Sequence, residues 1–186
     1  RCRGGRHWRA LATGCVQDSR LKSAVGAVEA YAHQGVGAYR AVRRWIAPSR
    51  FVLEKALEHG VRRESLRLLP HGVKVAAASA GAPTIETPPG PFVLFSGRLS
   101  VEKGVRLLPA LAMRLAPTPV VIAGDGPLRG WLERQAAGQP NLRLVGHVDD
   151  AALAALRAAA AVVVVPSLFY EHFCYAVAEA LMDRRP

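Results

Sequence analysis

The sequence predicts an α/β protein with a parallel, doubly wound sheet in its C-terminal part and a mainly helical N-terminal part. Two observations support this fold class. The first is a set of four short apolar runs, mostly β-branched, at residues 92–96, 120–123, 142–145 and 161–165. The second is that a segment suited to a helix follows each run, at about residues 105–115, 127–137, 150–159 and 172–182. Such alternation is typical of parallel sheets that helices cover on both faces.

Residues 1–16 show no helical period, and we expect them to form a loop. Between Gln17 and Trp45, apolar residues recur every three or four positions, which predicts a helix with one apolar stripe, broken near Gly35 and Gly37. The stripe consists of Leu21, Val25, Val28, Ala32, Val36, Tyr39, Val42 and Ile46.

A second helix and a short strand complete the N-terminal part. Ser49 suits the N-cap of a helix over residues 51–59, and Gly60 suits its C-terminal cap. The apolar run at residues 66–70 predicts a short strand that ends at a proline.

The Ala- and Pro-rich residues 74–91 have the composition of a linker, so we place a domain at residues 1–73 and another at residues 92–186.

In the second domain, Pro109 is tolerated only if its helix begins close to it, because proline cannot donate a helix hydrogen bond.

The composition is that of a globular protein. The 186 residues are 51% hydrophobic and 21% charged, which is enough apolar content for a buried core. No apolar run approaches the ~20 residues that span a bilayer, and residues 1–6 lack the apolar segment of a signal peptide, so we expect a cytoplasmic protein. Cys2, Cys15 and Cys174 show no C-x-x-C spacing, which favours reduced thiols over disulfides or a zinc site.

Positive charge is concentrated in the first part of the chain. Of the formal net charge of +11, residues 1–75 carry most, with 15 Lys and Arg against 5 Asp and Glu. A solvated, arginine-rich surface explains this asymmetry, and so does peripheral contact with anionic lipid on the inner face of a membrane or with an acidic acceptor. Both interpretations stay open. Nucleic acid is not an expected partner, because the sequence has no zinc-finger spacing, RNP-like motif or aromatic-interleaved basic run.

Residues that could bind a ligand follow each predicted strand of the C-terminal part. They are Gly97-Arg98 after the first strand, residues 124–126 after the second, Gly146-His147 after the third and Glu171 after the fourth. Because the carboxyl ends of parallel strands meet at one edge, where open α/β sheets bind ligands, we expect these residues to lie together.

Glu171 and Glu179 are eight positions apart on what we expect to be a helix or the entry to that helix, about 80° apart around the axis. The two carboxylates can therefore face one ligand from the same side. Backbone N–H groups at a strand-to-helix junction suit a phosphate, and carboxylates suit sugar hydroxyls. A sugar nucleotide carries both kinds of group.

Four motifs in the C-terminal part resemble those of the glycosyltransferase family 4 enzymes, which have two Rossmann-like domains in the GT-B arrangement. They are G-R-x(4)-K-G at residues 97–104, A-G-D-G-P at 123–127, V-G-H-V at 145–148 and E-x7-E from Glu171 to Glu179. The resemblance covers residues 92–186 densely and residues 1–75 more loosely.

The resemblance implies the domain organisation in more detail. Residues 92–186 would form the Rossmann-like, nucleotide-sugar-binding C-terminal domain of a GT-B protein without its last part. Residues 1–73 would be a mainly helical remnant of the N-terminal, acceptor-side domain. We therefore expect the chain to be truncated at both ends, and residues 1–186 alone to bind the donor weakly and to turn nothing over.

The implied activity is that of a hexosyltransferase. A sugar would pass from a nucleoside diphosphate donor, such as a UDP-sugar or GDP-mannose, to an acceptor hydroxyl with retention of configuration. The implied acceptor is a glycan or a lipid-linked glycan in bacterial polysaccharide or glycolipid synthesis. We expect no metal ion and no other cofactor. The alternatives are a GT-B sugar-nucleotide epimerase, which uses the donor without an acceptor, and a non-catalytic donor-binding fragment.

The resemblance also implies roles for four charged residues. Arg98 and Lys103 would neutralise the donor diphosphate and the charge that develops on the leaving nucleoside diphosphate. Glu179 would hold the ribose hydroxyls, and Glu171 the hydroxyls of the transferred sugar near its anomeric carbon. Glu171, Arg98 and Lys103 are thus the candidate catalytic residues.

The other candidate donor-binding residues lie in the same loops. They are Gly97, Gly124, Gly126, Val145, His147, Phe173 and Cys174. The sequence His172-Phe173-Cys174 departs from the Gly-Phe-Gly that is common in the family. A nucleophilic Cys174–His172 pair is disfavoured, since the sequence shows no third group to orient it.

Overall fold

The computed structural model describes residues 6–16, 19–73 and 85–186, and the chain divides into two compact units, Arg1–His71 and Gly72–Pro186. Of the predicted linker, residues 74–84 lie outside the described residues, and Ile85 packs against the core of the C-terminal unit. Cys2 also lies outside them, while Cys15 and Cys174 are free thiols.

The N-terminal unit is mainly helical and contains one small sheet. Its helices are α1 (Trp8–Thr13), α2 (Arg20–Gly35) and α3 (Arg50–Glu58), with short 3₁₀ turns at Ala38–Ala41 and Arg63–Ser65. Strands β1 (Trp45–Ala47) and β2 (Leu66–Leu68) pair in parallel.

The predicted ends of α3 are confirmed. The Ser49 hydroxyl accepts a hydrogen bond of 3.2 Å from the backbone N–H of Val52, which satisfies one of the unpaired donors of the first turn. Gly60 has a φ of 85° just past the last turn, a conformation that glycine adopts without steric cost.

The prediction of a loop over residues 1–16 is wrong, because α1 lies within it. This helix has only six residues, too few for an apolar period to appear in the sequence. It packs against α2 and buries Ala10. Gly14 closes it in the left-handed conformation, and its N–H donates to carbonyls of the last turn.

The apolar stripe predicted on α2 does not face a core among the described residues. Leu21, Val25 and Val28 are 77%, 63% and 69% exposed. The buried positions of α2 are the small residues Ser23 and Ala27 instead. The periodicity therefore predicted the helix, which ends at Gly35 as expected, but not the face by which it packs.

The C-terminal unit alternates strands and helices as the sequence predicts. The strands are β3 (Val93–Ser96), β4 (Val120–Ala123), β5 (Leu142–Gly146) and β6 (Val162–Val163). The helices are α4 (Leu108–Leu115), preceded by a 3₁₀ turn at Val105–Leu107, α5 (Arg129–Ala136), α6 (Asp150–Ala159) and α7 (Tyr175–Met182). Pro109 lies in the first turn of α4, where its missing N–H costs nothing.

The four strands are parallel and lie in the order β5-β4-β3-β6. Alternate strand residues face opposite sides of the sheet. Val93, Phe95, Val120 and Ile122 enter one buried cluster with Leu108 and Leu132, whereas Leu94, Val121 and Ala123 enter another with Leu156. Burial on both faces explains why these strands are apolar throughout.

The strand order determines where a ligand can bind. β3 pairs with β4 on one side and with β6, the last strand in the sequence, on the other. The helix that follows β3, α4, packs into one of the two clusters, whereas the helix that follows β6, α7, is paired with α6, which packs into the other. The loops that leave β3 and β6 therefore lead to opposite faces of the sheet and leave a crevice between them, the usual ligand site of open α/β sheets.

No described helix combines the length and the apolar content that a membrane crossing needs.

Candidate functional site

A cavity of about 350 Å³ lies at the carboxyl ends of β3 and β6. We call it the β3–β6 cavity. The predicted site residues that line it are Gly97, Arg98, Lys103, Glu171, Phe173, Cys174 and Glu179. The two most distant motifs of the C-terminal part, around Arg98 and around Glu171, thus meet at one place.

A neighbouring cavity of about 390 Å³ lies toward β5, and we call it the β3–β5 cavity. Gly124, Asp125 and His147 line it, and it shares Gly97 and Arg98 with the β3–β6 cavity. Gly124 and His147 therefore lie beside the candidate site rather than in the β3–β6 cavity itself.

Two predicted site residues line neither cavity. Gly126 lies against Leu99, such that an added Cβ would be 2.6 Å from the Leu99 carbonyl oxygen. The Val145 side chain packs against the buried cluster that contains Leu156. Gly126 and Val145 therefore shape the loops, and neither residue lines the candidate site.

The close approach of two loops brings Lys103 to the β6 side of the cavity. Gly104 has a φ of 69°, and an added Cβ would lie 1.9 Å from the carbonyl oxygen of Pro166. Next to it, the N–H of Leu168 donates to the carbonyl of Glu102 at 2.8 Å. Only glycine at position 104 permits this contact, since a side chain would overlap the backbone of Pro166.

A similar contact joins the loops after β3 and β4. Gly124 has a φ of 146°, and an added Cβ would lie 1.9 Å from the carbonyl oxygen of Gly97. The hydrogen bonding between β3 and β4 continues up to this point, because the N–H of Gly97 donates to the carbonyl of Ala123 at 3.0 Å. The surface between the two cavities is therefore backbone without side chains, which a ligand can approach.

The last helix begins later than the sequence predicts. α7 begins at Tyr175 rather than at about residue 172, and Glu171 belongs to the loop that follows β6 and leads into this helix. Side-chain contacts hold the loop there: the rings of Phe173 and Tyr175 meet edge to face at 5.0 Å, and Glu171 bonds across to Lys103. The two glutamates line one cavity because the loop returns to the sheet, not because they share a helix face.

Three neighbours donate hydrogen bonds to the Glu171 carboxylate. Lys103 Nζ donates to Oε1 at 2.7 Å, and Ser167 Oγ donates to the same oxygen at 2.5 Å. Partial burial raises the pKa of Glu171, but the hydrogen bonds from Lys103 and Ser167, the charge of Lys103 and a hydrogen bond from Cys174 outweigh burial. The pKa therefore lies below its ordinary value, and the carboxylate is ionised at neutral pH.

Lys103 lies between a carboxylate and an aromatic ring. Its Nζ is 5.3 Å from the ring centroid of Phe169, close enough for a cation–π contact. The side chain is 28% exposed, against 16% for Glu171. An ammonium group has three N–H donors, so Lys103 can bind a further acceptor without leaving Glu171.

Arg98 is the cation of the cavity that is held least by its neighbours. It is exposed and makes no direct hydrogen bond or ion pair with the other residues that the structure describes, although its charge helps to lower the pKa of Glu102 in the same loop. Glu171 is paired with Lys103, and Glu179 is paired with another arginine, Arg157. An anionic ligand could therefore bind the Arg98 guanidinium without breaking a direct ion pair.

Sequence reasoning missed Arg157, Ser167 and Phe169 as neighbours of the site. Arg157 lies in the last turn of α6 and donates to Glu179 Oε2 at 2.9 Å and to Asp183. A signal existed in the sequence, since Arg157 is the one charge in the Ala-rich run from residue 151 to 161. Two acidic residues four apart are the matching signal, Glu179 on α7 and Asp183 at the C-cap of this helix.

Among the residues that the structure describes, no three His, Cys, Asp or Glu side chains come together as a group that could hold a metal ion. A separate cavity of about 420 Å³ in the N-terminal unit is lined by aromatic and basic side chains, including Tyr39, Trp45, Arg40 and Arg62. No predicted donor-binding residue lies in it.

The C-terminal unit matches a known family. The model of the family described as "Glycosyl transferases group 1" matches residues 90–186, slightly more than half of the chain. This match includes every residue that lines the β3–β6 cavity.

Similar curated proteins include two from Mycobacterium tuberculosis. One, named GDP-mannose-dependent alpha-(1-6)-phosphatidylinositol dimannoside mannosyltransferase (strain ATCC 25177 / H37Ra), is 40% identical over 105 residues, which cover 54% of this chain and 27% of the relative. The other, a glycogen synthase (strain ATCC 25618 / H37Rv), is 39% identical over 101 residues, which cover 50% of this chain and 24% of the relative. The chain spans about a quarter of the length of these relatives.

Among solved structures, the crystal structure of Anabaena Alr3699/HepE in complex with UDP-glucose is similar, with a TM-score of 0.64 and 21% identity. The alignment covers 91% of this chain and 49% of that one. The structural similarity and the parallel sheet confirm the predicted fold class, an α/β protein of the GT-B kind.

We expect the Lys103–Glu171 ion pair to stabilise the protein at neutral pH and to lose this effect in acid. Because the folded pKa of Glu171 lies below its ordinary value of 4.5, the stabilisation is full above that value and disappears as the pH falls through the folded pKa. A double-mutant cycle of Lys103→Met and Glu171→Gln, measured by urea unfolding, should give a coupling free energy of about 1 kcal/mol at about pH 7.

The matched control is the more exposed Lys55–Glu58 pair of α3, for which the same cycle should give about 0.3 kcal/mol. A Lys103–Glu171 coupling no larger than that of the control pair would contradict the described geometry. So would a coupling that is undiminished at about pH 3.

Proposed function

The chain belongs to the group 1 glycosyl transferases, and on this premise we propose that the protein transfers a sugar from a nucleoside diphosphate donor to an acceptor hydroxyl. One observation carries the proposal. Two cations from the loop after β3 and two carboxylates, one from the loop after β6 and one from α7, line a single cavity at the crevice between β3 and β6; they are Arg98, Lys103, Glu171 and Glu179. This combination suits a ligand with both phosphates and sugar hydroxyls.

We propose that Arg98 and Lys103 bind the diphosphate of the donor. Arg98 has no ion pair among the described residues, and the fork of its guanidinium matches two phosphate oxygens. Lys103 keeps unused N–H donors in its contact with Glu171. When the sugar leaves, negative charge grows on the nucleoside diphosphate, and these two cations stabilise it. In this proposal they do the work for which other transferases use a metal ion.

The two carboxylates are assigned to hydroxyl groups. Glu179 accepts hydrogen bonds from the ribose of the nucleotide, and Glu171 from the transferred sugar near its anomeric carbon. The low pKa of Glu171 keeps this group an acceptor at neutral pH. Retention of configuration at the anomeric carbon is part of the proposal, and its support is the resemblance of the four loop motifs to family 4 enzymes.

Donor and acceptor are proposed by class. One mycobacterial relative is named as GDP-mannose-dependent and as acting on phosphatidylinositol dimannoside, and the Anabaena structure contains UDP-glucose. We therefore propose a GDP- or UDP-sugar as donor and a glycan or lipid-linked glycan as acceptor, in polysaccharide or glycolipid synthesis. Incubation of the whole protein with a labelled donor and a glycan acceptor separates this from the epimerase alternative, since label moves into the acceptor only in a transferase. For residues 1–186 alone we propose weak donor binding without turnover.

We further propose that the basic N-terminal unit contacts an anionic membrane surface. Exposed arginines, including Arg40, Arg43 and Arg63, accompany the exposed apolar residues Leu21, Val25 and Val28 in this unit. Basic residues attract anionic lipid, and exposed apolar side chains gain by insertion between headgroups. The protein would then encounter a lipid-linked acceptor at the membrane surface.

Replacing Arg98 by alanine should weaken the binding of UDP or GDP to the chain. One charge-assisted hydrogen bond is worth about 1.5–3 kcal/mol, so the Kd measured by calorimetry should rise at least about tenfold. The matched control is Arg114→Ala, which removes an exposed arginine from the last turn of α4, away from both cavities. Equal affinities for Arg98→Ala and the unchanged chain, with the fold intact, would remove the diphosphate assignment.

Vesicle binding tests the membrane proposal. The protein should sediment with vesicles that contain phosphatidylglycerol and not with pure phosphatidylcholine, and added salt should release it, because screening shortens to ~8 Å at physiological ionic strength. Exchanging Arg40 and Arg43 for serine should weaken binding about tenfold or more, at roughly 1 kcal/mol for each arginine.

The control for this experiment is the exchange of Arg114 and Arg143 for serine, which removes the same charge from the C-terminal unit. Equal loss of vesicle binding in both double variants would refute a contact through the N-terminal unit. Binding to neutral vesicles would show that charge plays no part, and the arginines would then be a solvated surface.

A further inference from the structure

Arg157 is the one charged side chain that is buried among the residues the structure describes. It is 7% exposed, lies in the last turn of α6 and does not line the β3–β6 cavity. A guanidinium cannot lose its proton at ordinary pH, so its burial requires carboxylate partners. One of its partners lies on α7, and the other directly follows the last residue of that helix.

The two partners are Glu179 on α7 and Asp183 at the C-cap of α7, which are four residues apart and therefore lie on the same side of the helix end. Arg157 Nη1 donates to Glu179 Oε2 at 2.9 Å, and Arg157 Nε donates to Asp183 Oδ2. A single planar fork thus bridges two carboxylates that would otherwise repel each other. Lysine, with one ammonium group, cannot reproduce this fork.

Because of this pairing, the two oxygens of the Glu179 carboxylate are no longer equivalent. Oε2 is held by Arg157, whereas no described residue donates to Oε1. Glu179 itself lines the β3–β6 cavity and is 28% exposed. Arg157 therefore fixes the carboxylate from the side away from the cavity and leaves Oε1 available to a ligand.

We propose that Arg157 is a positioning residue: it holds Glu179 so that Oε1 alone accepts hydrogen bonds from the ribose hydroxyls of the nucleotide. The inference rests on the proposed function, because it assumes that a nucleoside diphosphate binds in the β3–β6 cavity. Without Arg157, the Glu179 side chain can adopt several rotamers. Binding of the ribose must then fix one of them, and the lost conformational entropy weakens binding. Arg157 thus sets the preference for a ribose over a sugar without these hydroxyls.

The test compares each ribonucleotide with an analogue that lacks the hydroxyls. The Kd values of GDP and 2′,3′-dideoxy-GDP are measured by calorimetry for the unchanged chain, and UDP is treated in the same way. We expect the unchanged chain to prefer the ribonucleotide at least about tenfold, since a site that hydrogen-bonds a hydroxyl rejects the analogue without it. In Arg157→Met this preference should fall to less than about threefold, through weaker binding of the ribonucleotide alone.

Asp183→Asn is the matched control, because it weakens the link between α6 and α7 but leaves the Arg157–Glu179 contact in place. It should keep the preference for the ribonucleotide. If Asp183→Asn abolishes the preference as fully as Arg157→Met does, Arg157 acts only by holding the helix and the inference is wrong. If Arg157→Met fails to fold, Arg157→Lys replaces it, and an undiminished preference in that variant overturns the inference.

Failure of the inference differs from failure of the proposed function. An unchanged chain that binds neither GDP nor UDP contradicts the proposed function, and the inference falls with it. If the unchanged chain binds GDP and UDP no more tightly than their dideoxy analogues, Glu179 does not bind the ribose hydroxyls and the role proposed for Arg157 is wrong. A preference that survives in Arg157→Met refutes the inference alone and leaves the proposed function intact.

Discussion

The contact between the loops after β3 and β6 is the constraint on which the candidate site depends. Gly104 lies so close to the backbone of Pro166 that no side chain fits between them. The hydrogen bond from Leu168 to the carbonyl of Glu102 holds the same two loops. The sheet places β3 and β6 side by side, and this contact then turns their loops toward each other. Residues 68 positions apart in the sequence can therefore form the Lys103–Glu171 ion pair.

The charges of the site are arranged in pairs around one exception. Lys103 is paired with Glu171, and Glu179 is paired with the buried Arg157, so that neither carboxylate faces the cavity without a cation beside it. Arg98 alone has no such partner among the described residues. A site arranged in this way has little to reorganise before an anion binds, and preorganised charge is the main source of transition-state stabilisation in many enzymes. Both pairs also limit side-chain motion, since each partner comes from a different element of the fold.

The sequence predicts most of the C-terminal unit because its signals are local. Apolar runs of β-branched residues predict the strands, and a proline limits where α4 can begin. The site is predicted less completely. Its residues are found because each follows a strand, but the sequence predicts that the last helix begins at about residue 172 rather than at Tyr175, since spacing alone does not reveal a loop that side-chain contacts hold. Arg157 is missed because its two partners lie on another helix and at the C-cap of that helix, and the packing of α2 is misjudged because small residues, not the apolar stripe, contact α1.

In the function proposed here, the β3–β6 cavity binds the nucleoside diphosphate part of a sugar donor. A crystal structure of the protein with bound UDP or GDP would show this binding site. We expect diphosphate oxygens within hydrogen-bonding distance of Arg98 and Lys103, and a ribose hydroxyl on Oε1 of Glu179. A nucleotide bound only in the β3–β5 cavity, or in the N-terminal unit, would refute the proposed function of this cavity.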